Sequence, residues 1–388
     1  MRRIGMGLVG PGFVAAHHID AVRRLGFVDV VAVASSTLKG ARAKADHYGI
    51  PKAYGSYREL AADPDVHVVH NTTPNYLHAD VIKAALSHRK HIISDKPLAM
   101  NSTQARELWN AAQQAGVVHA VLFNYRGNPA VQQARHLIAS GDLGPVYFIH
   151  GAYLQDWLLE STDYSWRLDP EKGGASAALG DIGSHWCDLA QHLTGLRIEA
   201  VLADLTTVVQ RRQRPTRSGE AFAAPSGGEL AEEVEVKSDD LASLLLRFEN
   251  GAKGAFSVGQ VCAGHKNDLW VEVNGRRRSL RWNQELQDDL WIGNRNEANQ
   301  ILPKDPALYA ISARKYARLP AGHHEGWADA LFNVIRDIYA VITEDAGSRG
   351  VQSPLVATFE DGYRINRVID AMLESSAAGG VWKTVNYS

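Results

Sequence analysis

Short apolar runs alternate with amphipathic stretches over the first 124 residues. The runs are rich in Val, Ile and Ala and are largely unbroken, which predicts strands buried on both faces of a parallel sheet. The stretches between them repeat apolar positions every three or four residues, which predicts helices. The predicted strands are Ile4–Val9, Val28–Ala34, Val66–Asn71, His91–Ser94 and Val117–Phe123. The predicted helices are Phe13–Leu25, Leu38–Tyr48, Asn75–Ser87 and Thr103–Ala115.

The pattern changes after residue 124 to a mixture of helices and successive hairpins. Asn250-Gly251 and Asn274-Gly275 separate strand-like runs, and both dipeptides favour type I′ turns, with positive φ at each central residue. Successive hairpins predict an antiparallel sheet, so residues 125–388 form a second, α+β domain. The predicted strands here are Leu241–Phe248, Gly254–Val261, Leu269–Val273 and Ser279–Trp282. The predicted helices are Val131–Ser140, Ile182–Leu193, Gly326–Thr343 and Thr358–Ser375.

The segment Gln210–Asp240 interrupts this second domain. It is polar and rich in Gly, Pro, Arg and Glu, which predicts a surface excursion. A flexible loop is the simplest interpretation, and a lid or a subunit contact are the alternatives.

Composition excludes several classes of protein. Of the 388 residues 45% are hydrophobic and 22% are charged, with a net charge of −2, so no global field favours nucleic acid or an anionic membrane. No run of about 20 apolar residues predicts a membrane span. The two cysteines, Cys187 and Cys262, have neither disulfide-framework nor metal-ligand spacing, so we expect no metal and a reducing, cytoplasmic location.

The first strand leads into a glycine-rich turn, Gly10-Pro11-Gly12-Phe13-Val14-Ala15. This is a G-x-G-x-x-A variant of the dinucleotide-binding fingerprint, placed between a predicted strand and a predicted helix. Gly10 permits the tight turn and Gly12 allows close approach of a pyrophosphate. The helix N-terminus at Phe13 and Val14 then offers N–H donors and a positive dipole end. A turn that needs glycine only for its backbone geometry is the alternative.

The end of the second predicted strand bears on the choice between NAD and NADP. An acidic residue there would bind the ribose hydroxyls of NAD. The chain instead has Ser35 and Ser36, followed by Lys39 and Arg42. Hydroxyls beside cations suit a 2′-phosphate, so the sequence favours NADP. The alternative is that the two cations are solvated helix residues.

Two patterns suggest acid–base chemistry on an alcohol. Lys96 follows a short predicted strand, at the edge of the sheet where ligands bind in open α/β folds. Asp181 and His185 are four residues apart, which on a helix places both side chains on one face. A histidine titrates near neutral pH, and a carboxylate can orient its ring. An N-cap aspartate beside an unrelated histidine is the alternative.

These motifs, taken in order, resemble the glucose–fructose oxidoreductase and inositol dehydrogenase (Gfo/Idh/MocA) family over nearly the whole chain. The matching segments include the fingerprint, Thr73-Pro74-Asn75 with His78, Asp95-Lys96-Pro97, Asn124-Tyr125-Arg126, Trp166-Arg167 and the block from Gly180 to Asp188. Asp95 departs from the glutamate that is usual in the family. The resemblance implies an N-terminal Rossmann domain, residues 1–124. It also implies a C-terminal α+β domain with a large open, mostly antiparallel sheet that commonly makes subunit contacts.

The resemblance also implies roles for particular residues. Lys96, Asp181 and His185 are the expected catalytic residues, with His185 as the acid–base. The residues expected to contact NAD(P) are Gly10, Gly12, Phe13, Val14, Ser35, Ser36, Lys39, Thr73, Pro74, Asn75, His78, Asp95, Lys96, Asn124, Trp166 and Arg167. The residues expected to contact substrate are Lys96, Arg126, Tyr153, Gln155, Trp157, Asp181, His185 and His323.

Several of these substrate residues lie in segments similar to those of a branch of the family that acts on pyranosides. Aromatic faces and polar side chains of this kind suit sugars, although Trp157 and Trp166 also fit a core role. His323 lies beside Glu325, for which a helix cap or a subunit contact is the alternative.

The predicted function is therefore reversible, NAD(P)-dependent oxidation of a secondary hydroxyl of a sugar, anhydrosugar, glycoside or cyclitol. His185 takes the hydroxyl proton with Asp181 beside it, and Lys96 stabilises developing charge on the same oxygen. A glycosidase that works by transient oxidation and a non-catalytic nucleotide sensor are the alternatives. The expected partners are a small sugar or cyclitol and further copies of the chain, as a homodimer or homotetramer.

Overall fold

The computed structural model describes residues 3–215, 230–345 and 353–388. The chain divides into two compact units. The first comprises Met1–Asn124 and Leu331–Asn366, and the second comprises Tyr125–Ala330 and Arg367–Ser388. Nothing in the sequence pattern indicates that residues 331–366 group with the N-terminal unit, because their helical periodicity does not differ from that of their neighbours.

The N-terminal 124 residues alternate strands with helices. The strands are β1 (Ile4–Val9), β2 (Val28–Ala34), β3 (Lys52–Tyr54), β4 (Val68–Asn71), β5 (His91–Ser94) and β6 (His119–Val121). The helices are α1 (Phe13–Leu25), α2 (Leu38–Tyr48), α3 (Tyr57–Ala62), α4 (Asn75–Ser87) and α5 (Ser102–Ala115).

The rest of the chain holds more strand than its pattern predicts. The helices are α6 (Pro129–Ala139), α7 (Pro170–Gly173), α8 (Ser184–Thr194), α9 (Ile311–Arg314), α10 (Trp327–Asp345) and α11 (Phe359–Ala377). The first strands are β7 (Val146–Leu154), β8 (Ile198–Thr206), β9 (Arg211–Pro215), β10 (Leu230–Glu235), β11 (Leu241–Phe248) and β12 (Lys253–Gly259). They are followed by β13 (Asp268–Gly275), β14 (Arg278–Asn283), β15 (Asp289–Asn294), β16 (Gln300–Pro303) and β17 (Lys383–Thr384).

The sheet of the first unit is parallel throughout, with strand order β3-β2-β1-β4-β5-β6. The central strands β1 and β4 are buried on both faces, as their unbroken apolar runs predict. The order reverses between β1 and β4, which is the switch point where ligands bind in open α/β sheets.

The C-terminal part of the first unit packs on the β6 side of this sheet. Val121 and Ala357 form a β-bridge, and the N–H of Phe359 donates to the His119 ring at 3.1 Å. Trp109 and Tyr363 stack with ring centroids 5.7 Å apart. These contacts place Ala357, Phe359 and Tyr363 in the core of the first unit.

The second unit contains a nine-stranded sheet of order β16-β15-β14-β13-β7-β12-β11-β8-β17. All its pairs are antiparallel except β7 with β12. Burial alternates residue by residue along β11 and β13, so one face of the sheet is packed and the other is more open. The predicted fold class, a Rossmann domain followed by an α+β domain with a large, mostly antiparallel sheet, is confirmed.

Both predicted type I′ turns are wrong. At the first turn, φ is positive at Gly251 (86°) but not at Asn250. The Gly251 N–H donates to the Phe248 carbonyl at 2.8 Å. This is a type I turn closed by a left-handed glycine. Asn274 and Gly275 belong to β13 itself, and the chain reverses at Arg276 and Arg277, whose N–H groups donate to Pro145 and Leu143.

The prediction of a loop over Gln210–Asp240 is also wrong where the structure describes this segment. Strands β9 and β10 pair antiparallel in a two-stranded ribbon. The residues between them, 216–229, lie outside the described part of the chain. Arg212 on β9 is buried in an ion pair with Asp240, which a solvated loop would not contain.

Candidate active site

The glycine-rich turn lies at the carboxyl end of β1, at the switch point of the parallel sheet. Gly10 has a φ of 85°, and a Cβ there would lie 2.8 Å from the main chain of Thr73. Gly12 precedes α1 and is exposed, with no atom within 4 Å of the position that a Cβ would take. The turn therefore requires glycine at position 10 and leaves an open approach to the helix N-terminus at Gly12. This arrangement fits the pyrophosphate of a dinucleotide.

The residues after β2 lie next to the glycine-rich turn, at the same carboxyl edge of the parallel sheet. Thr37 caps α2 by accepting a hydrogen bond from Gly40 at 3.1 Å. Ser36 and Lys39 are exposed, and Ser35 is half-buried. Residues 34–42 contain no carboxylate, as the sequence shows, so hydroxyls and cations are the groups available to a ribose or its phosphate.

The segment after β4 is tied to the segment after β5 by His78. The ring of His78 is buried, and its nitrogens lie 2.8 Å from the Thr73 carbonyl and 2.7 Å from the Pro97 carbonyl. Thr73 also donates from its hydroxyl to Asn71 at 2.7 Å. Because both nitrogens of His78 face main-chain oxygens, the ring holds the two segments together. Its predicted contact with the cofactor stays a prediction.

Lys96 lies at the same carboxyl edge of the sheet, two residues after β5. Its N–H donates to the Asp95 carboxylate at 2.8 Å, and the Asp95 N–H donates to the Asn71 carbonyl at 2.8 Å. The Asp95 side chain thus orders the turn that presents Lys96. Asn124 follows β6 at this edge, and its Nδ2 atom is buried with no hydrogen-bond acceptor among the described residues. A buried amide donor at this position fits a polar ligand.

Asp181 and His185 lie in the second unit on consecutive but different helical segments. Asp181 belongs to a π-helical turn, Leu179–Gly183, and His185 to the first turn of α8. The uniform α-helix assumed in the sequence analysis is therefore wrong at Asp181. The wider turn changes the angular relation of the two side chains, and π-turns occur frequently at functional sites.

The described partners of the Asp181 carboxylate come from two distant segments. Arg167 Nε lies 3.2 Å from Oδ1, and Gln260 Nε2 donates to Oδ2 at 3.0 Å. The Arg167 guanidinium also lies over the Trp166 ring at 4.7 Å and within 5.8 Å of the Trp157 ring centroid. Arg167 therefore links the Asp181 carboxylate to the rings of Trp166 and Trp157. Its predicted contact with the cofactor stays a prediction.

The ring of His185 packs against two tyrosines. The Tyr125 ring meets it edge-on at 5.0 Å, and the Tyr153 ring lies 6.2 Å away. The two tyrosine hydroxyls are 2.8 Å apart. Burial raises the pKa of Tyr125, and it raises the pKa of Tyr153 well above its usual value. Both hydroxyls therefore stay protonated beside His185 at neutral pH.

A chain of hydrogen bonds between uncharged side chains continues from these tyrosines. Tyr153 donates to Asn267 Oδ1 at 2.6 Å, and Gln155 Nε2 donates to the same oxygen at 3.0 Å. Trp157 Nε1 then donates to Gln155 Oε1 at 2.9 Å. The predicted substrate residues Tyr153, Gln155 and Trp157 thus form one network with His185. Asn267 and Gln260 were not predicted, because no local motif marks them. Tyr125 lies in the Asn124-Tyr125-Arg126 segment, but no role was predicted for it.

Two other predicted substrate residues have different surroundings. Arg126 is buried in a bidentate ion pair with Asp188, with Nε donating to Oδ2 at 2.9 Å. His323 lies at the surface, beside a segment that is anchored by the buried pair of Lys304 and Glu325 at 2.7 Å. The Arg126 guanidinium thus pairs with Asp188. The predicted contacts of Arg126 and His323 with substrate stay predictions.

Within the described ranges no group of three or more His, Cys, Asp or Glu side chains is arranged to hold a metal ion. Among the described helices, none is both long and apolar enough to cross a membrane.

Comparison with known proteins identifies the class. Residues 4–123 match the oxidoreductase family with an NAD-binding Rossmann fold, and residues 131–281 match the GFO/IDH/MocA C-terminal domain. The chain is 31% identical to levoglucosan dehydrogenase of Pseudarthrobacter phenanthrenivorans over 97% of each chain.

Two solved structures extend the comparison. A levoglucosan dehydrogenase complex with NADH and levoglucosan superposes with a TM-score of 0.87 at 29% identity, covering 99% of this chain and 100% of that one. An inositol dehydrogenase homologue complexed with NAD+, from Azotobacter vinelandii, gives a TM-score of 0.86 at 25% identity, covering 99% and 97%.

The protein is thus a nicotinamide-dependent oxidoreductase in class. More closely, the chain belongs to the GFO/IDH/MocA family.

Proposed function

We propose that the protein is a dehydrogenase that reversibly oxidises a secondary hydroxyl of a sugar, anhydrosugar, glycoside or cyclitol. The observation that carries this proposal is the neutral network around His185. Two protonated tyrosines contact the His185 ring, and two amides and an indole continue from them in one hydrogen-bond network. Such groups recognise an uncharged polyol by hydroxyl hydrogen bonds and aromatic contact. Levoglucosan dehydrogenase, a relative of similar length, supports the substrate class.

In this proposal His185 accepts the proton of the reacting hydroxyl. Asp181, held by Arg167 and Gln260, provides a fixed negative charge that stabilises the imidazolium. Lys96 hydrogen-bonds the same substrate oxygen and stabilises its developing charge. When bound, the nicotinamide supplies the hydride acceptor for oxidation and the hydride donor for the reverse reduction.

We also propose NADP as the preferred cofactor, acting in the cytoplasm and in a homodimer or homotetramer. Ser35, Ser36 and Lys39 support NADP, since each suits a 2′-phosphate and no carboxylate opposes it. The solved relatives named above carry NADH or NAD+. Both cofactors therefore enter the test.

The test is a panel of pyranosides, anhydrosugars and inositols with each cofactor, followed at 340 nm. Net reduction of cofactor supports a dehydrogenase. Release of an aglycone without net reduction would instead establish a glycosidase, and tight dinucleotide binding without any turnover would establish a sensor. Lys96→Met and His185→Ala should each lower kcat by about 10²–10⁴-fold.

Matched control variants are available on α4. Lys83→Met and His88→Ala make similar changes at exposed positions near the C-terminal end of that helix, which runs away from the carboxyl edge of the sheet. Both should retain full turnover. Normal turnover in Lys96→Met or His185→Ala would remove that residue from the mechanism.

A further inference from the structure

Two adjacent aspartates, Asp239 and Asp240, lie in the short connection between β10 and β11. Both are buried, with 4% and 1% of their surface exposed. Buried carboxylates are costly unless they are fully hydrogen-bonded, so their partners indicate why they are there. The proposed function does not use either residue.

Asp239 binds the main chain immediately before the π-helical turn that carries Asp181. Its Oδ1 accepts from the Ala177 N–H at 2.9 Å, and its Oδ2 accepts from the Leu179 N–H at 2.7 Å. The Ala178 N–H donates to the Asp239 carbonyl at 3.0 Å. One residue thus accepts three consecutive N–H groups, which fixes the direction in which the chain enters the turn.

Asp240 continues the same connection toward the other side of Asp181. Its carbonyl accepts from the Gln260 N–H at 2.9 Å, and the Gln260 side chain donates to Asp181. Its carboxylate pairs with the buried Arg212, which donates to the carbonyls of Glu160 and Asp163 at 3.0 and 3.1 Å. These carbonyls lie in the loop that precedes Arg167.

We propose that Asp239 is a positioning residue for the Asp181–His185 pair, holding the Ala177–Leu179 main chain so that the π-helical turn presents Asp181 to Arg167 and Gln260. The inference rests on the proposed function, because it assigns the role through that acid–base pair. Displacement of a catalytic group by about 1 Å can cost about 10²-fold in rate, so such a support matters without touching substrate.

The charge state of Asp239 suits this role under ordinary assay conditions. Burial and, to a smaller extent, the Asp240 carboxylate raise the pKa of Asp239 to about 6, although the N–H groups of Leu179 and Ala177 oppose the shift. The charged side chain that acts on Asp239 is Asp240, whose carboxylate pairs with Arg212. At pH 8 Asp239 is therefore ionised, with both oxygens free to accept.

The test is Asp239→Asn, which keeps the shape but replaces one acceptor oxygen by an NH2 group that faces an N–H donor. We expect kcat for the best substrate to fall by about 10- to 100-fold, with the Kd of the cofactor unchanged within about 2-fold. Hydrogen exchange on peptides that cover residues 174–183 should accelerate at least about 10-fold, while peptides from β11 keep their protection. If the Asn variant does not fold, Asp239→Glu is the second variant: it keeps both oxygens but displaces them by one methylene, and we expect the same selective loss of kcat with the cofactor Kd unchanged.

Asp305→Asn is the matched control. Asp305 also accepts a main-chain N–H, from Ala307 at 2.8 Å, in the same unit. It should leave kcat and the exchange of residues 174–183 unchanged. The inference is overturned if Asp239→Asn has normal kcat, or if its loss of kcat accompanies faster exchange throughout the unit. Failure of the proposed function is seen separately, as a wild-type protein that oxidises no sugar or cyclitol.

Discussion

Gln260 donates from Nε2 to Oδ2 of Asp181 at 3.0 Å, and its side chain is completely buried. It directly follows β12, so the sheet of the second unit sets its position. The other carboxylate oxygen of Asp181 faces Arg167. A buried amide and a guanidinium together fix the orientation of the carboxylate that we place beside the acid–base histidine.

Replacing Gln260 by Met should therefore impair catalysis more than folding. The variant keeps the volume of the side chain but removes a hydrogen bond to a charged group, for which about 1.5–3 kcal/mol is typical. We expect kcat to fall by about 10-fold or more, with cofactor Kd unchanged, in steady-state and binding assays. Unaltered kcat would show that the hydrogen bond from Gln260 is not needed to orient Asp181.

The sequence predicts best those elements whose first and last residues are marked by capping residues or glycines. Helix α1 begins after Gly12 and ends at Gly26, which has a φ of 79°, and both limits are visible in the sequence. Helix α2 likewise begins at its Thr37 cap and ends at Gly49. The strands that are buried on both faces have continuous apolar runs, so their positions are also recognisable.

The elements that were missed depend on distant partners. Strand β7 contains His150 and Gly151, which disrupt its apolar pattern, yet it pairs with β12 and β13 along its length. The Asn274-Gly275 prediction failed because the hairpin reverses two residues later, where Leu143 and Pro145 accept the N–H groups of the turn. Register of this kind is set by tertiary pairing and not by the local dipeptide.

The residues of the candidate site also divide into those with a local sequence signal and those set by distant partners. Asp181 and His185 were proposed from their spacing, and the glycine-rich turn was proposed from its motif. Gln260 and Asp239 act on the same turn from 79 and 60–62 residues away, and a single polar residue in a strand connection has no recognisable pattern. The buried pair of Arg126 with Asp188 likewise has no local signal in the sequence.

Removing Arg126 should destabilise the protein. Arg126→Met leaves the Asp188 carboxylate buried without its cation, and loss of one partner of a buried pair typically costs about 3–5 kcal/mol. Urea unfolding should show this loss in the free energy of unfolding. The double variant Arg126→Met/Asp188→Leu should recover most of it, because the uncompensated charge is then gone. Equal instability in the single and double variants would contradict this account.

An acidic residue after β2 should shift the cofactor preference. Ser36→Asp places a carboxylate where we propose that the 2′-phosphate binds, and like charges in contact cost several kcal/mol. We expect kcat/KM with NADP to fall by about 100-fold, while kcat/KM with NAD stays level or rises. Ser87→Asp, at the exposed end of α4, adds the same charge and should change neither value. A wild type that already prefers NAD would refute the NADP proposal.

Acid should destabilise the first unit through its buried histidines. Burial lowers the pKa of His18 and of His119 to about 4 each, against about 6.5 in an unfolded chain. The unfolded state therefore binds more protons between these values. The stability that each neutral ring contributes is complete above pH 6.5 and is lost as the pH falls toward 4. Within that window, each histidine should lower the free energy of unfolding by about 1 kcal/mol for every unit by which the pH falls.

His119→Asn isolates one of these contributions. The Asn carbonyl can still accept the Phe359 N–H that His119 now accepts at 3.1 Å, but it does not titrate. Urea unfolding repeated between pH 4.5 and 6.5 should show a pH slope reduced by about 1 kcal/mol per unit. His88→Asn, at an exposed position, should keep the wild-type slope. If the slope of His119→Asn also matches the wild type, His119 titrates alike in the folded and unfolded chains, and its burial does not control acid stability.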